Sequence, residues 1–374
     1  MGFPPRLQGR TAGDYPMAKV GDISRAGRSG AGALVNADHF VDESDLTTLK
    51  AKPIPAGAVL FAKIGEAIRQ NHRVIAGRPL LVDNNAMAAI PRSSELDARY
   101  LYRFLQSVDF YGLASSTTVP SLRKSDLVRV AIPLPSLDEQ RRIATILDQA
   151  DAIRIKRRQV LTHLDTLTQS TFHDMFAGHE EEMAPLADLA VVTSGITKGR
   201  RTAEPTFPTP YLAVSNVQAG HLKMDVVKEI EATTAEIDRY ALKDGDLVLT
   251  EGGDPDKLGR GTVWRSELPL CLHQNHVFRV RSRSVEPDYL AAFMASRSAR
   301  SYFLRAAKQT TGIASINMTQ LKALPVLVPS GSDQSAFVER MKGVESQRVA
   351  MKRAIAANDE LFASLQARAF NGSL

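Results

Sequence analysis

The sequence predicts an α+β protein: two mixed α/β halves related by an internal repeat, and two long helices that pair antiparallel. Three observations predict it. The stretch Ile132-Pro133-Leu134-Pro135-Ser136-Leu137-Asp138-Glu139-Gln140 runs on to Phe176-Ala177-Gly178, and Val326-Leu327-Val328-Pro329-Ser330-Gly331-Ser332-Asp333-Gln334 runs on to Phe370-Asn371-Gly372. Pro135 and Pro329, Gln140 and Gln334, Phe176 and Phe370, and Gly178 and Gly372 are each 194 residues apart, and a fixed offset over such a distance marks a repeat. Each of these stretches also carries an apolar seam in steps of three and four, the pattern of a helix pairing with another helix.

The elements follow in order. In the first half, Tyr15 to Ile23 reads as a short strand with a turn. Ile54-Pro55-Ala56-Gly57 is a turn before the apolar strand Ala58 to Ala62. Leu80-Leu81-Val82 is a further strand, and Leu96, Tyr100, Leu101, Phe104, Leu105 and Val108 share one helical face. The first long helix spans about 137–176, capped by Ser136 or Asp138, with Asp138 and Glu139 favouring the dipole. Its expected seam includes Ile146, Ile153, Val160, Leu164 and Leu167. About 40 residues at 1.5 Å each give a rod of roughly 60 Å. Gly178 to Glu182 is a polar linker.

The second half echoes the first. Thr209 to Gln218 aligns with Tyr15 to Ser24, Lys243 to Leu249 with Pro55 to Phe61, and Gln274-Asn275-His276 with Asn84-Asn85-Ala86. The second long helix, about 333–370, carries Met341, Val344, Met351, Ile355 and Phe362 on its seam, with Arg348 and Asn358 as polar interruptions that fix register. The domains expected are 1–132, a helix over 133–178, a second globular domain over 183–325, and a helix over 329–374. The first half has no full counterpart of Met183 to Phe207, so either its first strand is missing or its start lies upstream.

Composition excludes several classes. The 374 residues are 44% hydrophobic and 24% charged, as in an ordinary globular protein. Apolar runs are far shorter than the roughly 18 residues a membrane span needs, and the start lacks the apolar core of a signal peptide. The single cysteine, Cys271, excludes an internal disulfide, and a reducing cytoplasm is the expected compartment. The net charge of +6 permits a polyanion partner. There is no G-x-x-x-x-G-K-[ST] phosphate loop, no Asn/Asp-Pro-Pro-Tyr/Phe element and no glycine-rich cofactor loop after a strand. His273 and His276 lack a third ligand nearby, so no metal site is expected.

Of the polyanions that a positive net charge permits, a nucleic acid needs cations for its phosphates and forked donors for base edges. The candidates are Lys19, Arg28, Lys63, Arg69, Asn71 and Arg73 in the first half, and Lys198, Arg200, Arg201, Asn216, Lys257, Arg260 and Arg265 in the second. Arg279, Arg281 and Arg283 alternate on a strand, where they either track a phosphate backbone or line an exposed sheet face.

The run Pro133 to Ile143 resembles the opening of the conserved helical region in specificity (S) subunits of type I restriction-modification systems. So do Gly252-Gly253-Asp254, Leu258 to Gly261, Gln274-Asn275-His276 and Thr310-Thr311-Gly312, and the alternation of half and helix covers the whole chain. The resemblance implies two target-recognition domains related by a pseudo-twofold repeat and separated by two long antiparallel coiled-coil helices. It also implies a non-catalytic subunit that reads a bipartite, asymmetric sequence in double-stranded DNA. The helices would act as a ruler and dock two adenine-N6 methyltransferase (M) subunits and two motor-nuclease (R) subunits. S-adenosylmethionine, ATP and Mg would bind those partners. Gln140, Arg141, Ile143 and Gln334 are the partner-docking residues expected, and the form Gly331-Ser332-Asp333-Gln334 departs from the first helix's opening. The competing readings are a recognition or scaffold subunit of another DNA-modification or defence system, or a fused methyltransferase/nuclease fragment.

Overall fold

The structure is a computed structural model. It describes residues 3–30, 32–115, 119–178, 183–253, 258–310 and 313–374. The first half contains β1 (Tyr15–Ala18), α1 (Val20–Ser29), β2 (Ala33–Leu34), β3 (Phe40–Val41), α2 (Glu43–Leu49), β4 (Val59–Ala62), β5 (Arg73–Ala76), β6 (Leu81–Val82), β7 (Ala86–Ala89), α3 (Ala98–Ser107), α4 (Phe110–Leu113) and α5 (Lys124–Leu127), and α6 (Leu137–Phe176) follows. The second half contains β8 (Met183–Pro185), α7 (Leu186–Leu189), β9 (Ala190–Ser194), β10 (Phe207–Leu212), β11 (Val217–Gln218), β12 (His221–Leu222), β13 (Lys228–Ala232), α8 (Thr234–Tyr240), β14 (Leu247–Thr250), β15 (Gly252–Gly253), β16 (Gly261–Val263), β17 (Leu272–His273), β18 (Val277–Ser282), α9 (Pro287–Met294), α10 (Arg297–Ala306), β19 (Lys308–Thr310), β20 (Ile313–Ser315), α11 (Met318–Lys322) and β21 (Pro325–Leu327), and α12 (Gly331–Phe370) closes the chain.

The repeat is visible in the hydrogen-bond ladders. The sheet β3-β1-β6 has the same pattern as β13-β10-β17, an antiparallel neighbour on one side and a parallel one on the other. The order β5-β4-β7 corresponds to β16-β14-β18, with Phe61 opposite Arg73 and Met87, and Leu249 opposite Gly261 and Phe278. This register sets Met87 against Phe278 and Asn85 against His276, one residue away from the alignment expected from sequence. The halves differ at the sheet edges. Strand β9 extends the second sheet beside β18, whereas the first sheet is extended on its other side, by β2 running parallel to β5.

Both long helices are punctuated by equivalent residues. Ser136 Oγ accepts from Glu139 N at 3.3 Å and Ser330 Oγ from Asp333 N at 3.2 Å, so serine caps each helix. Gly178 (φ +89°) and Gly372 (φ +80°) stop them in the left-handed region that glycine enters at least cost.

The chain forms two compact units, residues 1–160 with 351–374, and residues 161–350. In the first, Arg142 reaches the Leu374 carbonyl at 3.0 Å, Arg154 reaches Asp359 at 2.7 Å and Arg157 the Ala354 carbonyl at 3.1 Å, an antiparallel helix pairing. In the second, Arg348 meets Asp165 at 3.0 Å and Phe172 packs on Phe337, again antiparallel. Along α12, Phe337, Met341, Val344, Met351, Ile355 and Phe362 are all buried or half-buried, as the seam expectation requires.

Along α6 the expected seam is corrected at three positions, while Ile146 and Leu164 are half-buried. Ile153, Val160 and Leu167 are 48%, 41% and 41% exposed. The row that turns inward is Ile143, Leu147, Ala150, Arg154, Leu161, Leu164, Thr168 and Phe172, all buried or half-buried. Two nearly parallel rows therefore exist on this helix, and the inner one is interrupted by Arg154 and Thr168. Arg154 finds Asp151, Asp359 and the face of Phe362 there, and so tolerates the desolvation that would otherwise expel it.

Candidate nucleic-acid interface

In each half, one strand end is held by the same two backbone hydrogen bonds. At the end of β4, Lys63 N donates to the Asn85 carbonyl at 2.9 Å, and the Lys63 carbonyl accepts from Leu122 N at 2.8 Å. At the end of β14, Glu251 N donates to the His276 carbonyl at 3.0 Å, and the Glu251 carbonyl accepts from Ile316 N at 2.9 Å. The turn at 274–276 is braced further. Ser194 Oγ donates to the Asn275 carbonyl at 2.7 Å, and Asn275 N to the Ile196 carbonyl at 3.0 Å. The backbones approach so closely here that a Cβ on Gly195 would lie 1.9 Å from the His273 carbonyl, and one on Gly252 2.9 Å from that of Ala314. Rigid backbone of this kind holds the neighbouring side chains in fixed positions.

The expected DNA-contacting residues fall into three groups. Arg28, Lys198 and Arg201 are exposed, and Lys19 and Lys63 are half-buried at strand ends; Lys198 and Arg201 follow the braced 194–196 segment. A second group is exposed in part but engaged. Arg69 pairs with Glu66 at 3.0 Å and lies 4.3 Å over the Tyr111 ring; Arg265 pairs with Asp288; Arg200 forks onto Glu236. The hydrogen bond from Arg200 holds the Glu236 carboxyl at about 2, well below the usual range. Arg260 is half-buried, and its Nε finds no partner among the described residues.

The third group is corrected to a structural role. Arg73 is buried, 3.6 Å from the Phe110 ring centroid, and donates to Asn71 Oδ1 at 2.6 Å. Burial pushes its pKa down to about 9, opposed by the charge of Asp109. Asn71 sits at φ +53° and spends its amide on the Gln106 carbonyl at 3.1 Å. Asn216 is buried too: its oxygen accepts from Ala213 N and its nitrogen donates to the Lys223 and Val226 carbonyls, closing a local loop. All three are polar side chains that satisfy backbone or aromatic partners rather than a base edge. Lys257 lies outside the described residues. Neither reading of the β18 arginines stands whole, because Arg279 is buried against the Arg239 and Ala241 carbonyls and Arg281 forks onto the buried Asp246.

The partner-docking expectation also changes. Gln140 is fully buried: its oxygen accepts from Asp97 N at 2.8 Å, and its nitrogen donates to the Glu95 and Pro135 carbonyls, both at 2.9 Å. Gln334 repeats this, accepting from Glu286 N at 3.0 Å and donating to the Pro329 carbonyl at 2.8 Å. Ile143 is buried in the same junction, whereas Arg141 stays exposed beside Asp138. A pair of tyrosines completes the clamp, of which the sequence reading placed Tyr100 on a helical face. Tyr100 Oη donates to the Pro133 carbonyl at 3.0 Å and Tyr289 Oη to the Leu327 carbonyl at 2.8 Å. Their rings meet Phe370 and Phe176, the last residues of the opposite helices, at 5.5 and 5.2 Å. Each half is thus bolted to the start of its own long helix and the end of the other.

Comparison with known proteins agrees with this construction. Residues 4–164 match the family model "Type I restriction modification DNA specificity domain". The chain is 24% identical over 285 residues to the type I restriction enzyme EcoKI specificity subunit of Escherichia coli (strain K12), covering 70% of this chain and 61% of that protein. It is 22% identical over 310 residues to the StySPI specificity subunit of Salmonella potsdam, covering 75% of this chain and 66% of that protein. The chain therefore spans less than two thirds of the length of these relatives. Among solved structures, a chain from work on complex assembly and conformational transition of the type I R-M system aligns with a TM-score of 0.61 at 16% identity, covering 96% of this chain and 92% of that one. The S subunit from M. genitalium aligns at 0.52 with 14% identity, covering 98% and 91%. Residues 4–164 are thus similar to a type I restriction-modification DNA specificity domain, and the chain has the fold of a type I specificity subunit.

Proposed function

We propose that this chain is the non-catalytic DNA specificity subunit of a type I restriction-modification complex, reading one part of an asymmetric, bipartite site with each half. The observation that carries this is the duplication itself. Two equivalent scaffolds, each clamped by Gln140 and Tyr100 or by Gln334 and Tyr289, present different loops. A two-part reader of an asymmetric sequence needs that combination.

Exposed Lys198, Arg201 and Arg28 supply the cations for phosphate contact. The outward apolar row of α6, with Ile153 and Val160, and the exposed Arg141 offer a face for methyltransferase subunits. Adenine methylation with S-adenosylmethionine, and ATP- and Mg-dependent cleavage, belong to the M and R partners in this reading, which acts in the cytoplasm. Among the described residues no helix is long and apolar enough to cross a membrane.

The test is an exchange of residues 183–325 for the equivalent segment of another family member, expressed with the partner methyltransferase. Sequencing of methylated adenines should show one half-site replaced and the other kept. Replacement of both would remove the reading.

A further inference from the structure

The two equivalent strand ends carry chemically opposite side chains. In the first half the clamped position is Lys63, and its partner across the clamp is Asn85. In the second they are Glu251 and His276. The backbone geometry is the same, so the scaffold is shared and only the functional groups differ. Glu251 and His276 are joined at 2.5 Å between a carboxylate oxygen and Nδ1, and their side chains remain 31% and 58% exposed. Neither side chain is needed to hold the clamp, which is made entirely of backbone. The 194–196 segment braces the same turn, and exposed Lys198 and Arg201 follow it. A half-buried carboxylate on a face offered to a polyanion is unfavourable unless it meets a donor, and the donors DNA presents in its major groove are the exocyclic amines of cytosine and adenine.

We propose that Glu251, oriented by His276, reads an exocyclic amino group in the second half-site, and that Lys63 at the equivalent place reads the acceptor edge of a guanine in the first. The inference rests on the proposed function and adds to it which residues discriminate bases. Glu251 accepts from the amine; His276 fixes the carboxylate rotamer. Lys63, a donor with no acceptor, suits the O6 and N7 edge instead. Two halves with one backbone can then specify different bases, which an asymmetric site requires.

The experiment compares methylated-adenine maps for the full-length chain and for Glu251→Gln, His276→Asn and Lys63→Gln, each expressed with the partner methyltransferase. Each variant's melting temperature is checked against the parent. Glu251→Gln should lower discrimination at a single base pair of the second half-site by about tenfold to a hundredfold, and Lys63→Gln should do so at one pair of the first. His276→Asn should weaken discrimination at the same pair as Glu251→Gln and at no other. An unchanged motif at an unchanged rate would overturn the proposal. So would a uniform loss of methylation with the motif intact, the signature of a phosphate contact or a structural role. Absence of any two-part motif from the parent chain would instead count against the proposed function.

Discussion

Arg154 donates to Asp359 from Nε at 2.7 Å, and 194 residues further along, Arg348 donates to Asp165 with the helices exchanged. The two pairs are one interaction written twice, each inside its own compact unit. Burial pushes the Asp359 carboxyl up, but hydrogen bonds and charge from Arg154 and Arg158 more than offset it, and its pKa lies below the ordinary value. Arg154 also lies 4.3 Å over the Phe362 ring.

Such a pair contributes modestly to stability and more to register. Arg154→Ala should cost about 1 kcal/mol in urea unfolding, the upper range for a partly exposed pair. The exchange Arg154→Asp with Asp359→Arg should recover part of the loss that either reversal alone produces. No recovery in the double variant would show that the pair does not set register.

Arg103 should matter more. It is buried, and its guanidinium joins Asp148 at 2.7 Å and Asp151 at 2.8 Å. Burial lowers its pKa, but the two aspartates outweigh that and the net shift is upward. Arg103→Leu removes the buried partner of two half-buried carboxylates, of which Asp148 keeps Arg99 and Asp151 keeps Arg154, and a loss of about 1–3 kcal/mol is expected. Calorimetric melting measures it; a loss below about 1 kcal/mol would show that water reaches the aspartates.

His273 gives a pH dependence. It is buried, its Nδ1 lies 2.7 Å from the Val277 carbonyl, and Nε2 finds no partner among the described residues. Burial pushes its pKa down to about 4, with the Val277 hydrogen bond opposing. Between that value and about 6.5, the unfolded chain binds the proton and the folded one does not. Stability is therefore complete above about pH 6.5 and falls as pH drops towards 4, by up to about 1.4 kcal/mol per pH unit. Urea midpoints at pH 7 and pH 5 should separate more for the parent than for His273→Gln. Equal separations would mean that His273 does not carry the effect.

The seam of α6 shows how far the sequence could be read. The repeat, both helices and their glycine ends were legible because they depend on spacing and on residues with strong local preferences; Ser136 was one of two candidate caps and Ser330 was not read as one. So was the α12 seam, where one apolar row predominates. On α6 the unbroken apolar row Ile146, Ile153, Val160 and Leu167 competes with the mixed row Leu147, Arg154, Leu161 and Thr168, and apolarity alone favours the wrong one. The buried clamps were missed for a related reason. Gln140, Asn216 and Arg73 have polar side chains, and only the fold shows which groups they satisfy. The seam correction is testable: Leu147→Ala should cost about 2–5 kcal/mol, whereas Ile153→Ser should stay within about 0.5 kcal/mol in the isolated chain. The reverse order would restore the other seam.

The ruler role in the proposed function is best probed by lengthening both long helices together. A four-residue insertion in residues 150–165 of one helix shifts it past its antiparallel neighbour and breaks a pairing that Arg154 and Asp359 hold. One heptad added after Val160 together with one added after Ala350 falls at the boundaries of both units, preserves the seam phase and leaves each unit intact. The added length is about 10 Å by the helical rise, equivalent to about three base pairs at 3.4 Å each. The deciding measurement is the map of methylated adenines written by this variant with its partner methyltransferase. The account predicts the same two half-sites as the parent, separated by about three more base pairs. The same half-sites at the parent spacing would contradict it.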